Sequence, residues 1–289
     1  VPTHDWQAAA PEDGGSIVFQ DAMGGLYRVR ISTGKLLWQS DGRQQFHATG
    51  GVVIGPNGLV YSTGVHGGAG VVRAFRLSDG GDVWQQPLVS FGQSIAVGRL
   101  AGSEGLSVVA GAGEDPEEPL LARFKRNQPL AMRHLPPRAK VWVHKLSMLT
   151  KGRPQWFWGA RDREGALQAL DAETGAPRWT FQPPSWGRFA CAGDEEFFMD
   201  RQDHLLYRNQ TGEAYCKPGA WSPATIDNSG TVHAGFMDGH LYSIQDTDGD
   251  GIISAEEVAS YEAGTGFQAP AAIAPGMMVA AGCGGGLWV

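Results

Sequence analysis

One thirteen-residue pattern recurs along the chain, and it constrains the fold more than any other feature. Leu26 to Trp38 (LYRVRISTGKLLW) has a near copy in Val72 to Trp84 (VRAFRLSDGGDVW), 46 residues later. A third copy, Leu167 to Trp179, lies 95 residues beyond the second, about two periods, so a degenerate copy is expected between them. Leu206 to Glu213 is a fourth, and Leu241-Tyr242-Ser243-Ile244 opens a fifth. A fixed period of this size is the signature of a repeat architecture.

Each unit alternates apolar and polar residues, turns at Ser/Asp/Thr-Gly and runs on to a Trp. Alternation at period two is the pattern of a half-buried strand, and glycine admits the positive φ that a tight turn needs. The unit is therefore a β-hairpin. A second strand pair precedes some hairpins, at Gly51 to Tyr61 around Pro56-Asn57-Gly58 and at Pro223 to His233 around Asn228-Ser229-Gly230. Four strands per repeat of this length make a propeller blade.

The stretch Pro223 to Ile244, with its Pro-Ala, Asp-Asn-x-Gly-x-Val and Asp-Gly-x-Leu-Tyr-x-Ile elements, resembles the PQQ-like β-propeller repeat of quinoprotein dehydrogenases and their non-catalytic relatives. The expected fold is all-β: one propeller domain over residues 1–289 with about seven four-stranded blades, or eight if residues are missing from the sequence. Hairpins are expected near 26–38, 72–84, 121–133, 167–179, 206–215 and 241–262, with a last one opening at Leu287. The segment Val1 to Ala10 is expected to complete the final blade. Trp38, Trp84 and Trp179 share one repeat position, which predicts packing between blades. Trp142, Trp156, Trp158, Trp186 and Trp221 fall off the period and are divided between the core and a ligand-lining surface.

The fifth hairpin is interrupted at residues 246–257 by Asp-Thr-Asp-Gly-Asp-Gly-Ile-Ile-Ser-Ala-Glu-Glu, an EF-hand-type loop position for position. Calcium takes six to eight hard oxygen ligands. Asp246, Asp248 and Asp250 would supply carboxylates, Ile252 a backbone carbonyl, Ser254 a direct or water-mediated contact, and Glu257 two oxygens. Gly251 allows the sharp turn, and Ile253 is an apolar anchor. Ala255 to Ala263 holds good helix formers, so a strand-loop-helix insertion with one Ca²⁺ is expected.

Composition narrows the function. Lys and Arg number 23 against 30 Asp and Glu, which disfavours binding to nucleic-acid phosphates. The longest apolar stretch, Pro275 to Ala281, is far short of a bilayer span. Cys191, Cys216 and Cys283 fit neither a disulfide scaffold nor a CxxC metal pair. Unpaired thiols are the plainer expectation and a Cys191–Cys216 bridge the alternative. The acidic loop Gly111 to Pro119 is read as solvated, and Gly64 to Gly70 lacks the following helix that would hold phosphate. The eight His show no paired spacing and no Gly-x-Ser-x-Gly elbow is present, so no catalytic or cofactor-binding residue is assigned.

These features lead to the expectation of a non-catalytic, calcium-binding scaffold that contacts other protein subunits, with peripheral association to a membrane complex compatible. The balance leans against an enzyme. The alternative is a PQQ-dependent alcohol dehydrogenase-like quinoprotein. Against it, the resemblance implies vicinal cysteines and a longer chain that this sequence lacks, so PQQ is not expected. A second alternative is a carbohydrate or small-ligand binder using the off-period Trp residues. The Asn209-Gln210-Thr211 sequon and the calcium loop lean towards a secreted, periplasmic or organelle-lumenal location.

Overall fold

The computed structural model describes residues 6–9, 15–21, 23–40, 46–66, 69–88, 91–113, 165–188, 190–195, 216 and 221–289. Nearly all regular structure in them is β. The first sheet runs in order through β1 (Trp6–Ala9), β2 (Ser16–Gln20), β3 (Leu26–Arg30) and β4 (Leu36–Gln39). The second comprises β5 (Phe46–Ile54), β6 (Leu59–His66), β7 (Ala69–Arg76) and β8 (Asp82–Pro87). The third is built from β9 (Phe91–Gly98), β10 (Ser107–Gly113), β11 (Gly165–Asp171) and β12 (Pro177–Phe181). The fourth holds β13 (Thr225–Ile226), β14 (Val232–Gly235), β15 (His240–Ile244) and β16 (Val258–Glu262). A three-stranded sheet follows, of β17 (Ala272–Ala274), β18 (Met277–Ala281) and β19 (Leu287–Trp288). All pairings are antiparallel meanders between sequence neighbours. The chain is an all-β propeller.

Successive sheets pack face to face, and the period-two alternation of strands explains how. In β10 Val108 and Ala110 join Tyr61, Val72 and Leu170 in the core between the second and third sheets. Its alternate residue Val109 joins Leu167, Trp179, Phe236 and Ile244 between the third and fourth. Both faces of β10 are covered, and every one of its residues is buried. Val18, Leu26, Val52 and Phe75 fill the first seam, while Leu241, Phe267, Ala271 and Ala280 fill the last.

The repeated Trp is a docking residue, as expected. Trp38 Nε1 donates to the Leu77 carbonyl at 2.7 Å, and Trp84 Nε1 to the Ala172 carbonyl at 3.0 Å. Each indole lies over the turn glycine of the next sheet, Gly80 (φ +74°) and Gly175 (φ +75°), where a Cβ would come within 2.6 and 2.7 Å of the ring. A second recurring tie joins a turn Asp or Asn to an aromatic side chain on the next strand. Tyr27 Oη donates to Asp21 at 2.8 Å and Tyr242 Oη to Asp238 at 2.7 Å, and the Asn57 amide meets Tyr61 Oη at 2.9 Å.

Several expectations need correction. Residues 95–113 do not form a blade of their own: β9 and β10 pair with the 167–179 hairpin, because that hairpin needs two further strands to complete its sheet. Trp84 in β8 and Trp179 in β12 lie on the outer strands of the second and third sheets, so the 95-residue interval is one sheet step, with residues 114–164 between β10 and β11. The expected hairpins at 121–133 and 206–215, the Asn209 sequon and Glu114 to Pro119 lie outside the described residues, as do Trp142, Trp156 and Trp158. Gly111 to Gly113 are strand residues of β10, not loop. The N-terminal strand β1 pairs with β2 in the first sheet instead of completing the last. Trp221 is 2% exposed in the third seam, and Trp186 packs against the same core with its Nε1 on the Ala190 carbonyl at 2.9 Å. Trp221 is therefore core, and Trp186 is half-buried at its edge with the Arg188 guanidinium over its ring.

The cysteine pairing also differs. Cys216 and Cys283 form a disulfide across a 67-residue separation, while Cys191 is buried in the third seam. Neither the unpaired thiols of the plainer expectation nor its Cys191–Cys216 alternative holds, because the fold brings the residue before the fourth sheet beside the β18–β19 turn. A disulfide fits an oxidising compartment. Among the described residues no helix is long and apolar enough to cross a membrane.

Candidate metal centre

The β15–β16 connection carries the acidic loop, in the place where β7–β8 and β11–β12 have a short turn. The exiting helix expected over Ala255 to Ala263 does not form. Ala255–Glu257 makes a single 3-10 turn, and Val258–Glu262 continues as β16, pairing along the whole length of β15. The fourth sheet needs this outer strand, and that tertiary demand outweighs the helix propensity of the alanines.

The loop brings the three aspartates together. One carboxylate oxygen from each of Asp246, Asp248 and Asp250 lies within 4.8 Å of the others. Asp246 is 4% exposed, whereas the other two face solvent. Its oxygens accept the N–H groups of Gly249 at 2.9 Å and Gly251 at 3.3 Å, fixing the carboxylate toward the loop centre. The Asp248 carboxylate accepts Asp250 N–H and the Asp250 carboxylate accepts Ile252 N–H, so each aspartate shapes the backbone that presents the next. Gly249 and Gly251 have φ of +73° and +79°.

Glu257 is placed differently from the aspartates. Its Oε1 accepts the Thr247 N–H at 2.6 Å and hydroxyl at 3.0 Å, and its Oε2 accepts the Ser254 N–H at 2.9 Å and hydroxyl at 3.0 Å. These donors, Ser254 and Thr247 first, pull its carboxyl down to about 2 from 4.5. Glu257 therefore latches the two ends of the loop together, and Ser254 is engaged with it. Ile252 is 70% exposed, whereas Ile253 packs against the third seam as the apolar anchor.

The loop also sits on the seam between the third and fourth sheets. A Cβ on Gly102 would come within 2.3 Å of the Asp246 carbonyl and 3.0 Å of Gly249 Cα, and one on Gly251 within 2.7 Å of the Arg178 carbonyl. A cavity of about 370 Å³ opens there, lined by Ser103, Glu104, Asp171 and Arg178 from one sheet and Asp246 and Asp250 from the other. Arg178 pairs with Asp171 at 2.7 Å. Burial opposes ionisation of Asp171, but hydrogen bonds from Arg178 and Thr174 outweigh it and hold the group at about 2. Trp179, whose equivalents dock on the next sheet's turn, has a buried Nε1 with no hydrogen-bond partner here, where the loop replaces the turn.

No family model matches the chain, and no curated protein matches it. Solved structures do. One is a quinohemoprotein alcohol dehydrogenase from Comamonas testosteroni, with 12% identity and a TM-score of 0.45 over 92% of this chain and 38% of that one. Another is quinohemoprotein alcohol dehydrogenase ADHIIG from Pseudomonas putida HK5, with 14% identity and a TM-score of 0.48 over 92% of this chain and 37% of that one. Both matched proteins are enzymes. Against this finding the expectation of a non-catalytic scaffold subunit is withdrawn. The chain spans less than two-fifths of the length of either structure.

Neither the seam cavity nor the repeat indoles Trp38 and Trp84 offers a place for a flat anionic quinone such as PQQ. The seam cavity is lined by Glu104, Asp171, Asp246 and Asp250 against the single cation Arg178. The indoles of Trp38 and Trp84 are covered by Gly80 and Gly175. No chemical step is assigned to the quinone.

Proposed function

We propose that this propeller binds one Ca²⁺ in the Asp246–Glu257 loop and serves a quinoprotein-like, alcohol-oxidising protein in an oxidising compartment such as the periplasm. The observation that carries the ion is the convergence of the Asp246, Asp248 and Asp250 carboxylates in a loop already shaped by its own hydrogen bonds. Hard oxygen donors of this kind suit Ca²⁺. Asp246, Asp248 and Asp250 are its carboxylate ligands. The Ile252 carbonyl, Ser254 and Glu257 complete the shell, Glu257 exchanging its bonds to Thr247 and Ser254 for the ion. The oxidative part is supported by the PQQ-like repeat and the propeller fold, and the compartment by the Cys216–Cys283 bridge.

Isothermal titration of chelator-treated protein with Ca²⁺ tests the ion. One saturable site, lost in Asp246→Ala, is expected, and no heat of binding would remove the proposal. Dye-linked oxidation of primary alcohols after addition of PQQ and Ca²⁺ tests the activity separately. Absence of turnover in protein that binds Ca²⁺ would leave a calcium-binding propeller without the oxidative role.

A further inference from the structure

At the β13–β14 turn of the fourth sheet the recurring tie between a turn Asp or Asn and an aromatic side chain ends on an imidazole, where the β5–β6 turn of the second sheet has the Tyr61 phenol. Asp227 opens the β13–β14 turn, and its Oδ1 accepts the N–H groups of Ser229 and Thr231, both at 2.9 Å. Its Oδ2 meets His233 Nε2 at 3.2 Å. His233 Nδ1 meets Ser243 Oγ at 2.8 Å, and the two residues are direct cross-strand partners in β14 and β15. Burial opposes ionisation of Asp227, but its hydrogen bonds from Ser229, Thr231 and His233 hold it at about 2. A carboxylate is an acceptor only, so Nε2 carries the ring proton. Nδ1 then presents its lone pair, and the Ser243 hydroxyl must be the donor.

The geometry points to Ser243 as an activated nucleophile for small carboxylic esters, with His233 as general base and Asp227 orienting the ring. The three groups have the Asp–His–Ser connectivity of an acyl-transfer triad, with the two ring nitrogens exchanged so that Nδ1 faces the serine and Nε2 the aspartate. A triad is recognised by geometry and roles rather than by sequence position. His233 retains 13% and Asp227 26% side-chain exposure, and Ser243 faces Ala259, an exposed small residue of β16. Ser243 Oγ bonds to the acyl carbon as its proton passes to His233 Nδ1. The ester C–O bond breaks, and that proton leaves with the alkoxide as the alcohol. Water, deprotonated by the same nitrogen, then adds to the acyl carbon; the Ser243 Oγ–acyl bond breaks, the carboxylic acid leaves, and the proton on Nδ1 returns to Ser243 Oγ. No redox partner is needed.

The test uses wild-type protein and a fluorophosphonate probe, with the labelled peptide located by mass spectrometry. An adduct on Ser243 in native protein, absent after unfolding in urea, is expected. No adduct on native protein, or equal labelling in urea, would overturn the assignment and leave the network as a structural tie. In His233→Gln, checked by circular dichroism, labelling should slow by about 100-fold, the general-base contribution. An unchanged rate in that folded variant would also overturn it. If the variant does not fold, the wild-type labelling decides.

Discussion

The Trp38 indole nitrogen donates to the Leu77 carbonyl at 2.7 Å, while its six-membered ring lies on Gly80 of the same turn. This contact ties the first sheet to the second, and Trp84 with Ala172 and Gly175 repeats it one sheet further on.

Substituting the turn glycines should separate packing from backbone strain. Gly34→Ala meets nothing within 4 Å and carries only the cost of φ +67°, about 1–2 kcal/mol. Gly80→Ala carries the same strain and also forces Trp38 away, adding about 1–3 kcal/mol. Urea midpoints of the two variants should differ in that order. Equal midpoints would show that the indole does not depend on the close approach.

Reduction of the Cys216–Cys283 bridge should destabilise the protein. Closing a loop of 67 residues restricts the unfolded chain by about 4 kcal/mol in the chain-entropy model. Non-reducing peptide mapping should recover Cys216 linked to Cys283, and Cys191 should alkylate only after unfolding. A Cys191–Cys216 peptide would contradict the fold described here.

Calcium should raise the melting temperature, since a ligand at a hundredfold excess over its Kd stabilises the folded state by about 2.7 kcal/mol. Asp246→Ala should abolish the shift. Glu257→Gln should lower thermal stability even without calcium, because an amide oxygen cannot accept from Thr247 and Ser254 together as the carboxylate does. If the calcium-free melting of Glu257→Gln equals wild type, the latch is dispensable.

Acid should weaken three ties in one window. Glu257, Asp171 and Asp227 each have a folded pKa of about 2, below their ordinary 4.5, 3.8 and 3.8. The unfolded chain therefore binds more protons over this range, and the stability they contribute is fully present above about pH 4.5. It should be lost progressively as pH falls toward 2. Thermal melts between pH 6 and pH 2 should show the loss below 4.5. A loss centred near pH 6 would implicate other groups.

The hairpins were legible because their signals are local. Alternation marked β3, β7, β11 and β15, turn glycines marked where each reversed, and the recurrence of Trp38 and Trp84 announced blade packing. The aspartates of the acidic loop were equally legible, since Asp246, Asp248 and Asp250 lie within five residues and shape their own backbone. The exiting helix was misjudged because local propensity favours it, whereas the fourth sheet requires β16 as its outer strand. The Asp227, His233 and Ser243 network left no linear motif. Only strand register, which sets His233 opposite Ser243 across β14 and β15, could have revealed it.

The sequence by itself determined the strands, their turns and the acidic loop, because period-two burial, positive-φ glycines and clustered carboxylates act over a few residues. Tertiary structure alone decided that β10 pairs with β11 across residues 114–164, that Cys216 meets Cys283, and that the loop lies on the seam against Gly102 and Arg178. Those contacts join segments far apart in the chain. Their partners are selected by which apolar faces remain to be buried, a property of the assembled sheets rather than of any one segment.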